Sequence, residues 1–73
     1  MRVTFDKSID AAYIYLKEPI NPGEAIKTYP CDPSEVNGEI NLDFNSSGVL
    51  IGIEVQNASR KLPKEILENA EIF

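Results

Sequence analysis

Hydrophobic and polar residues alternate with a period of two along much of the chain, a pattern that predicts half-buried β-strands. The first such stretch, residues 2–5, places Val3 and Phe5 on one side and Arg2 and Thr4 on the other. We therefore predict a first strand at these residues, followed by a turn.

A second stretch, residues 11–16, is apolar on both faces. Such a strand is typical of the centre of a sheet that is covered on both sides, by a helix or by a second subunit. The pattern would also suit a short buried helix, but two tyrosines and the nearby Pro19 favour a strand. Because the chain has helical material for only one face, we expect Tyr13, Ile14 and Tyr15 to contact a second subunit. The alternative is that these tyrosines belong to the core.

The middle of the chain is interrupted by proline and glycine. Residues 17–23 predict a loop, and residues 24–29 predict a weak edge strand that ends before Pro30. Residues 31–38 predict a second loop.

Residues 38–56 carry the strongest pattern, in which two alternating stretches flank residues 45–48, Asn-Ser-Ser-Gly. This predicts a β-hairpin with a four-residue loop or a bulged variant of it. Gly52 lies in the middle of the second strand, where a glycine indicates a bulge or close cover by a helix.

The expected register of this hairpin pairs Phe44 with Val49 and therefore Glu54 with Glu39. Two like charges directly opposite each other would destabilise the sheet and could mark a functional site. A register error of one residue, or a nearby cation, would remove the conflict.

The last part of the chain predicts two short helices. Asn57 is expected to cap a helical turn at residues 58–61, and Pro63 suits the start of a second helix over residues 64–70. The second helix has an apolar stripe formed by Ile66, Leu67 and Ala70. We expect this stripe to pack against Leu50 and Gly52 of the hairpin.

The predicted fold is α+β: a small, mainly antiparallel sheet, a meander of about five strands, followed by one or two short C-terminal helices. With 73 residues, we expect a single domain, residues 1–73, with one small core.

Ordering this chain costs on the order of 110 kcal/mol at about 1.5 kcal/mol per residue, which such a core barely offsets. Cys31 is the only cysteine and there is no histidine, so an internal disulfide or a zinc site cannot add stability. We therefore expect a homo-oligomer, with a dimer favoured.

The chain has 12 acidic and 7 basic residues, a net charge of −5. A negative net charge disfavours direct nucleic-acid binding and suits a small basic protein as partner. No apolar run is long enough to span a membrane, and the first residues lack the apolar stretch of a signal peptide. We expect a cytoplasmic protein with no membrane partner.

Missing residue types limit the possible chemistry. Without histidine, neither a Ser-His nor a Cys-His nucleophile pair can form within the chain, so only carboxylate or lysine chemistry remains. We expect no cofactor and lean towards a protein that is not an enzyme.

One motif resembles a calcium-binding loop. The motif has oxygen ligands, a glycine and a final glutamate at the spacing of an EF-hand loop. Its residues are Asp43, Asn45, Ser47, Gly48 and Glu54. An EF-hand loop lies between two helices, whereas these flanks alternate as strands. In the expected register Asp43 and Glu54 are four residues apart, roughly 13 Å, too far to share an ion. We interpret these residues as a turn and keep a carboxylate-based calcium or magnesium site, or a metal-dependent hydrolase, as the alternative.

Asp6 and Asp10 bracket the turn that precedes the second strand. Two aspartates at this spacing could bind a metal or act as an acid–base pair. Aspartate is also a common turn residue, and we favour that interpretation.

The chain contains two longer motifs: T-F-D-K-x-x-D-A-x-Y-I-x-L, and L-D-F-N-x-x-G-V-L-I-G-I-E-V followed by N-A-S. These motifs resemble those of the small prokaryotic proteins catalogued as domain of unknown function 2283. The similarity covers residues 3–16 and 42–61 and is carried by Asp6, Asp10, Ala11, Tyr13, Asp43, Gly48, Gly52, Glu54, Ala58 and Ser59. The resemblance implies a cytoplasmic β-protein without an established activity and places the calcium-like string on a hairpin. It also raises the hypothesis of a toxin–antitoxin-like pair. The leading hypothesis is a non-enzymatic oligomeric interaction module, and one form of it is the acidic partner of a small basic protein.

Overall fold

The computed structural model describes residues 1–73 and consists of one six-stranded sheet with three short helices. The elements are β1 (Arg2–Asp6), β2 (Ala11–Tyr15), β3 (Lys27–Pro30), α1 (Pro33–Val36), β4 (Ile40–Phe44), β5 (Leu50–Gln56), α2 (Ala58–Lys61), α3 (Lys64–Glu68) and β6 (Glu71–Ile72). The strand order is β3-β4-β5-β2-β1-β6. All neighbours are antiparallel except β1 and β6. The predicted α+β class is confirmed. No helix has the length and apolar character needed to cross a membrane.

The predicted strands are present, and β2 lies inside the sheet between β5 and β1, as expected. The predicted edge strand is β3, shifted to Lys27–Pro30. The sixth strand was not predicted, because its two residues are too few to show an alternating pattern. Residues 31–38 were predicted to be a loop but include α1, which begins at Pro33. Asp32 caps this helix by accepting a hydrogen bond from the backbone N–H of Ser34.

The helices α2 and α3 pack on one face of the sheet, and α1 is joined to α2 by a hydrogen bond from Lys61 Nζ to the Val36 carbonyl. No helix packs on the opposite face. On the helix side, Phe5, Ala12 and Val55 are directly paired neighbours in adjacent strands and are nearly fully buried. Together with Ala58 of α2 they form the core cluster, against which other apolar residues pack, namely Ile40, Ile53, Leu62, Leu67 and Ala70. We call Phe5, Ala12, Val55 and Ile40 the covered row.

A second row of apolar residues crosses the same face, two residues further along each strand. This open row consists of Val3, Ile14, Ile53, Leu42 and Tyr29, each paired with the next across five strands. None of its members is buried, and Tyr29 is 55 % exposed. The helices therefore cover only part of the apolar face.

The β4–β5 hairpin is confirmed, but its predicted register is wrong. The loop places Phe44 opposite Leu50 instead of Val49, and a bulge between Phe44 and Asp43 then leaves Ile51 without a partner, so that Glu54 lies opposite Asn41. A bulge inserts one residue into one strand, which shifts every pair beyond it. The expected pair of Glu54 and Glu39 is thereby removed.

The predicted packing of the second helix is also wrong. Leu67 and Ala70 pack against the core cluster on the side of Val55. Gly52 has the opposite parity in β5 and lies beneath the ring of Tyr13 on the helix-free face. The sequence signal at Gly52 reflected both a bulge next to it and close cover, but the cover is a tyrosine.

The predicted cap of α2 is supplied by a different residue. Asn57 has a left-handed backbone (φ 54°) and its side chain makes no capping hydrogen bond. Instead, Asp10 accepts three hydrogen bonds from the first turn: its backbone carbonyl from the Ala58 N–H, and its carboxylate from the Ser59 N–H (3.0 Å) and hydroxyl (2.7 Å). Asp10 thereby fixes α2 to the β1–β2 turn.

Candidate functional site

The helix-free face of the sheet holds half of the predicted site residues. Alternation along the strands places polar and aromatic side chains here: Arg2, Thr4 and Asp6 on β1, Tyr13 and Tyr15 on β2, Thr28 on β3, Asn41 and Asp43 on β4, and Glu54 and Gln56 on β5. This set, together with Ala11 and Gly52, is called the helix-free face below.

At its centre, Tyr13 reaches across β5 to Asp43 on β4. The phenol hydroxyl donates a hydrogen bond of 2.6 Å to Asp43 Oδ2. The Thr28 hydroxyl donates to the other oxygen, Oδ1, at 2.5 Å. Because Gly52 lies opposite Asp43 and has no side chain, the ring of Tyr13 can cross β5 above it. The Asp43 carboxylate is thus held by hydroxyls from two different strands.

The pKa of Tyr13 is raised well above its ordinary value of 10.0. Burial of the phenol is the main cause, and the hydrogen bond to Asp43 and its negative charge add to it. A phenol with a raised pKa stays protonated at physiological pH, so Tyr13 is a hydrogen-bond donor here and not a base or nucleophile.

Glu54 is the second carboxylate of this centre. Its Oε1 accepts a hydrogen bond of 2.8 Å from the side-chain amide of Asn41, the residue opposite it. Because Asp43 lies opposite Gly52, Glu54 is two residues from it along the ladder, roughly 7 Å. The expected separation of roughly 13 Å is therefore wrong, because the loop and the bulge each shift the register by one residue.

An aromatic pair lies beside these carboxylates. The rings of Tyr13 and Tyr15 meet edge to face with centroids 4.8 Å apart. The Arg2 guanidinium lies over Tyr15, 4.8 Å from the ring centroid, and pairs with Glu71 through two hydrogen bonds. The hydrogen bond to Glu71 raises the pKa of Arg2, and the bond to Arg2 lowers the pKa of Glu71.

The calcium-like string forms the end of the hairpin and not an EF-hand loop. The Asn45 side-chain oxygen accepts hydrogen bonds from the backbone N–H groups of Ser47 and Val49, so it is directed into its own turn. Gly48 has φ +77°, the left-handed conformation that such a turn requires. No group of three or more His, Cys, Asp or Glu side chains is arranged to hold a metal ion.

Asp6 and Asp10 have separate structural tasks. The Asp6 carboxylate accepts hydrogen bonds from the backbone N–H and the hydroxyl of Ser8, which closes the β1–β2 turn. The Asp10 carboxylate is bound to Ser59 at the start of α2. The two carboxylates are thus engaged with different partners.

The predicted contact residues Tyr13, Ile14 and Tyr15 lie on two different faces. Tyr13 and Tyr15 belong to the helix-free face, whereas Ile14 lies in the open row. Sequence reasoning missed Thr28 and Asn41, because their importance depends on which residues lie opposite them. A correct register would have identified both as partners of the two carboxylates.

Comparison with known proteins gives one match. A family model described as "Protein of unknown function (DUF2283)" matches residues 2–59. No curated protein and no solved structure matches the chain. The matched region includes β1 to β5 and the first residues of α2, and ends before α3 and β6.

Proposed function

Because this chain belongs to the DUF2283 family of proteins of unknown function, we propose its role from its surfaces: it is a non-enzymatic interaction module that binds a basic protein through the helix-free face. The observation that carries the proposal is the combination of acidic residues and fixed tyrosines on this one face. As part of the same proposal, the module acts in the cytoplasm, where a free thiol such as Cys31 stays reduced.

The charge of the helix-free face supports a basic partner. Its strand residues include three carboxylates, Asp6, Asp43 and Glu54, but only one cation, Arg2. The charge of Arg2 is already matched by Glu71. The face therefore keeps a surplus of negative charge, which attracts and orients a positively charged partner.

The tyrosines of the face supply contact area for that partner. Tyrosine is enriched at protein interfaces because it offers a large amphipathic surface with few rotatable bonds. Tyr13 is held by Asp43, and Tyr15 contacts its ring, so little side-chain freedom is lost on binding. The guanidinium of Arg2 over Tyr15 is a cation–π contact within the molecule itself. An arginine of a partner could use the ring of Tyr13 in the same way.

The proposal is tested by measuring the binding of a fluorescein-labelled nona-arginine peptide by fluorescence anisotropy. The variant Asp6→Asn/Glu54→Gln removes two negative charges from the helix-free face and keeps the side-chain shapes. The matched control Glu65→Gln/Glu68→Gln removes the same charge from α3. We expect the first variant to weaken binding about fivefold or more and the control to change it less than about twofold.

Equal losses for the two variants would mean that only net charge matters, and the helix-free face would not be the binding site. Absence of binding by the unmodified chain at low salt would exclude a basic partner altogether. Nona-lysine serves as a second probe, and weaker binding than nona-arginine is expected because guanidinium stacks better on tyrosine.

A further inference from the structure

The open row on the helix side is an apolar surface that the chain covers only in part. Its five residues cross β1, β2, β5, β4 and β3 without a polar or charged interruption other than the Tyr29 hydroxyl. Four are half-buried and Tyr29 is exposed. Leu16, which follows β2, adds a further side chain that is 43 % exposed.

The chain gains little stability from its own core. The buried core cluster has four members, and the accessible surface of 4810 Å² exceeds the roughly 4,500 Å² expected for a folded monomer of this mass. Cys31 is the only cysteine, so no internal disulfide compensates. Small domains of this kind commonly gain the missing burial by association.

A second copy of the chain fits this surface better than a charged partner. Each copy carries a net charge of −5, so two copies can meet closely only where charge is absent, as it is along the open row. Half of the molecule's 32 × 29 Å extent is roughly 460 Å² per copy, so two copies bury roughly 930 Å² in total, the size of a weak interface.

The position of the helices also permits this contact. They lie at one end of the strands, and the open row lies beyond them on the same face, between the helices and Ile51, which is buried within the chain. Two open halves can therefore overlap while the helices of the two copies lie at opposite ends. Such an arrangement is isologous, so each copy uses the same residues.

We propose that the open row is the contact surface between two copies of this chain, which pack sheet against sheet about a two-fold axis parallel to the row. Ile53 lies at the middle of the row and Val3 and Tyr29 at its ends. The helix-free faces then point outward on both sides of the dimer. This inference does not depend on the proposed basic partner, because it concerns the other face of the sheet.

Light scattering after size exclusion, over a range of micromolar concentrations, tests the dimer. The unmodified chain is expected to have twice its monomer mass of 8.1 kDa. Val3→Glu introduces a charge into the open row and is expected to raise the dissociation constant of the dimer about tenfold or more. Val49→Glu makes the same change in the hairpin loop, where Val49 is 54 % exposed, and is expected to leave the dimer intact.

Circular dichroism separates loss of the dimer from loss of the fold. If Val3→Glu unfolds the chain, Tyr29→Glu at the exposed end of the row replaces it. A monomeric unmodified chain at the highest concentration would overturn the proposal. So would a folded Val3→Glu or Tyr29→Glu variant that dimerises normally, or a dimer that is lost on Tyr15→Glu, which would place the contact on the helix-free face.

Discussion

The ring of Tyr13 lies directly over Gly52 of the neighbouring strand, with no room for a side chain between them. A methyl group on Gly52 would come within 2.6 Å of Tyr13 Cζ and closer still to the hydroxyl. Gly52 is therefore the gap through which Tyr13 crosses β5 to reach Asp43. This relationship links the mid-strand glycine to the hydrogen-bond network of the helix-free face.

Gly52→Ala is expected to displace Tyr13 and to lower the free energy of unfolding by about 1–3 kcal/mol, the usual cost of overpacking. Urea denaturation followed by circular dichroism measures the change. The same substitution in a Tyr13→Ala background is expected to be neutral or stabilising, because alanine is more favourable than glycine in a strand once the ring is gone. Equal losses in both backgrounds would contradict the crossing of β5 by Tyr13.

Tyr13→Phe removes the hydroxyl that donates to Asp43 and keeps the ring. We expect the free energy of unfolding to fall by about 1–2 kcal/mol, as for the loss of a hydrogen bond to a charged group. The loss is limited because the Asp43 carboxylate keeps its second donor, the Thr28 hydroxyl. Tyr29→Phe is the control, since Tyr29 is exposed, and is expected to change stability by less than about 0.5 kcal/mol. If the two variants are equally stable, the bond between Tyr13 and Asp43 contributes nothing.

The raised pKa of Tyr13 predicts a loss of stability at alkaline pH. Below about pH 10, the ordinary pKa of a phenol, Tyr13 is protonated in both the folded and the unfolded chain, and its contribution is fully present. Above that pH the unfolded chain releases the proton while the folded chain retains it, until the pH passes the raised pKa. In this window the free energy of unfolding should fall as the pH rises, because the unfolded chain gains stability by losing this proton. Urea denaturation between pH 9 and pH 11 should show a shallower slope for Tyr13→Phe, and parallel slopes would refute the prediction.

Local pattern was sufficient to predict five of the six strands of the sheet but not the identity of opposite residues. The alternation on either side of residues 45–48 predicts a hairpin whatever its exact register. The register depends on where the loop ends and on the bulge after Asp43, and both are decided by how the two strands pack. For this reason the neighbourhood of Glu54 was predicted wrongly while its strand was predicted correctly.

Contacts between distant parts of the chain were the second limit. Asn57 has the residue type and the position of a helix cap, and short-range rules select it. The residue that caps α2 is Asp10, 49 positions from Ser59 in the chain. No local pattern connects these positions. The resemblance to the family did single out both Asp10 and Ser59, but without the contact between them.

The contact between Asp10 and Ser59 is expected to be energetically coupled. Ser59→Ala removes the hydroxyl, and Asp10→Asn keeps a residue that tolerates the left-handed backbone at this position (φ 52°). Each variant is expected to lose about 0.5–2 kcal/mol, the range for helix caps. In a double-mutant cycle by urea denaturation, the double variant should lose less than the sum of the two single losses. Simple additivity would mean that the hydrogen bonds do not contribute to stability.

Calcium is expected to leave the melting temperature unchanged, because the Asp43 and Asn45 oxygens of the calcium-like string are already engaged. Both oxygens of Asp43 accept hydrogen bonds from hydroxyl groups, and the Asn45 oxygen is bound within its own turn. An ion at a hundred times its dissociation constant would add about 2.7 kcal/mol to the free energy of unfolding, which thermal melts detect readily. Melts with and without millimolar calcium or magnesium therefore decide the question. A rise that Asp43→Asn abolishes and Asp32→Asn retains would mean that the hairpin rearranges around an ion, and would restore the carboxylate metal site as the leading hypothesis.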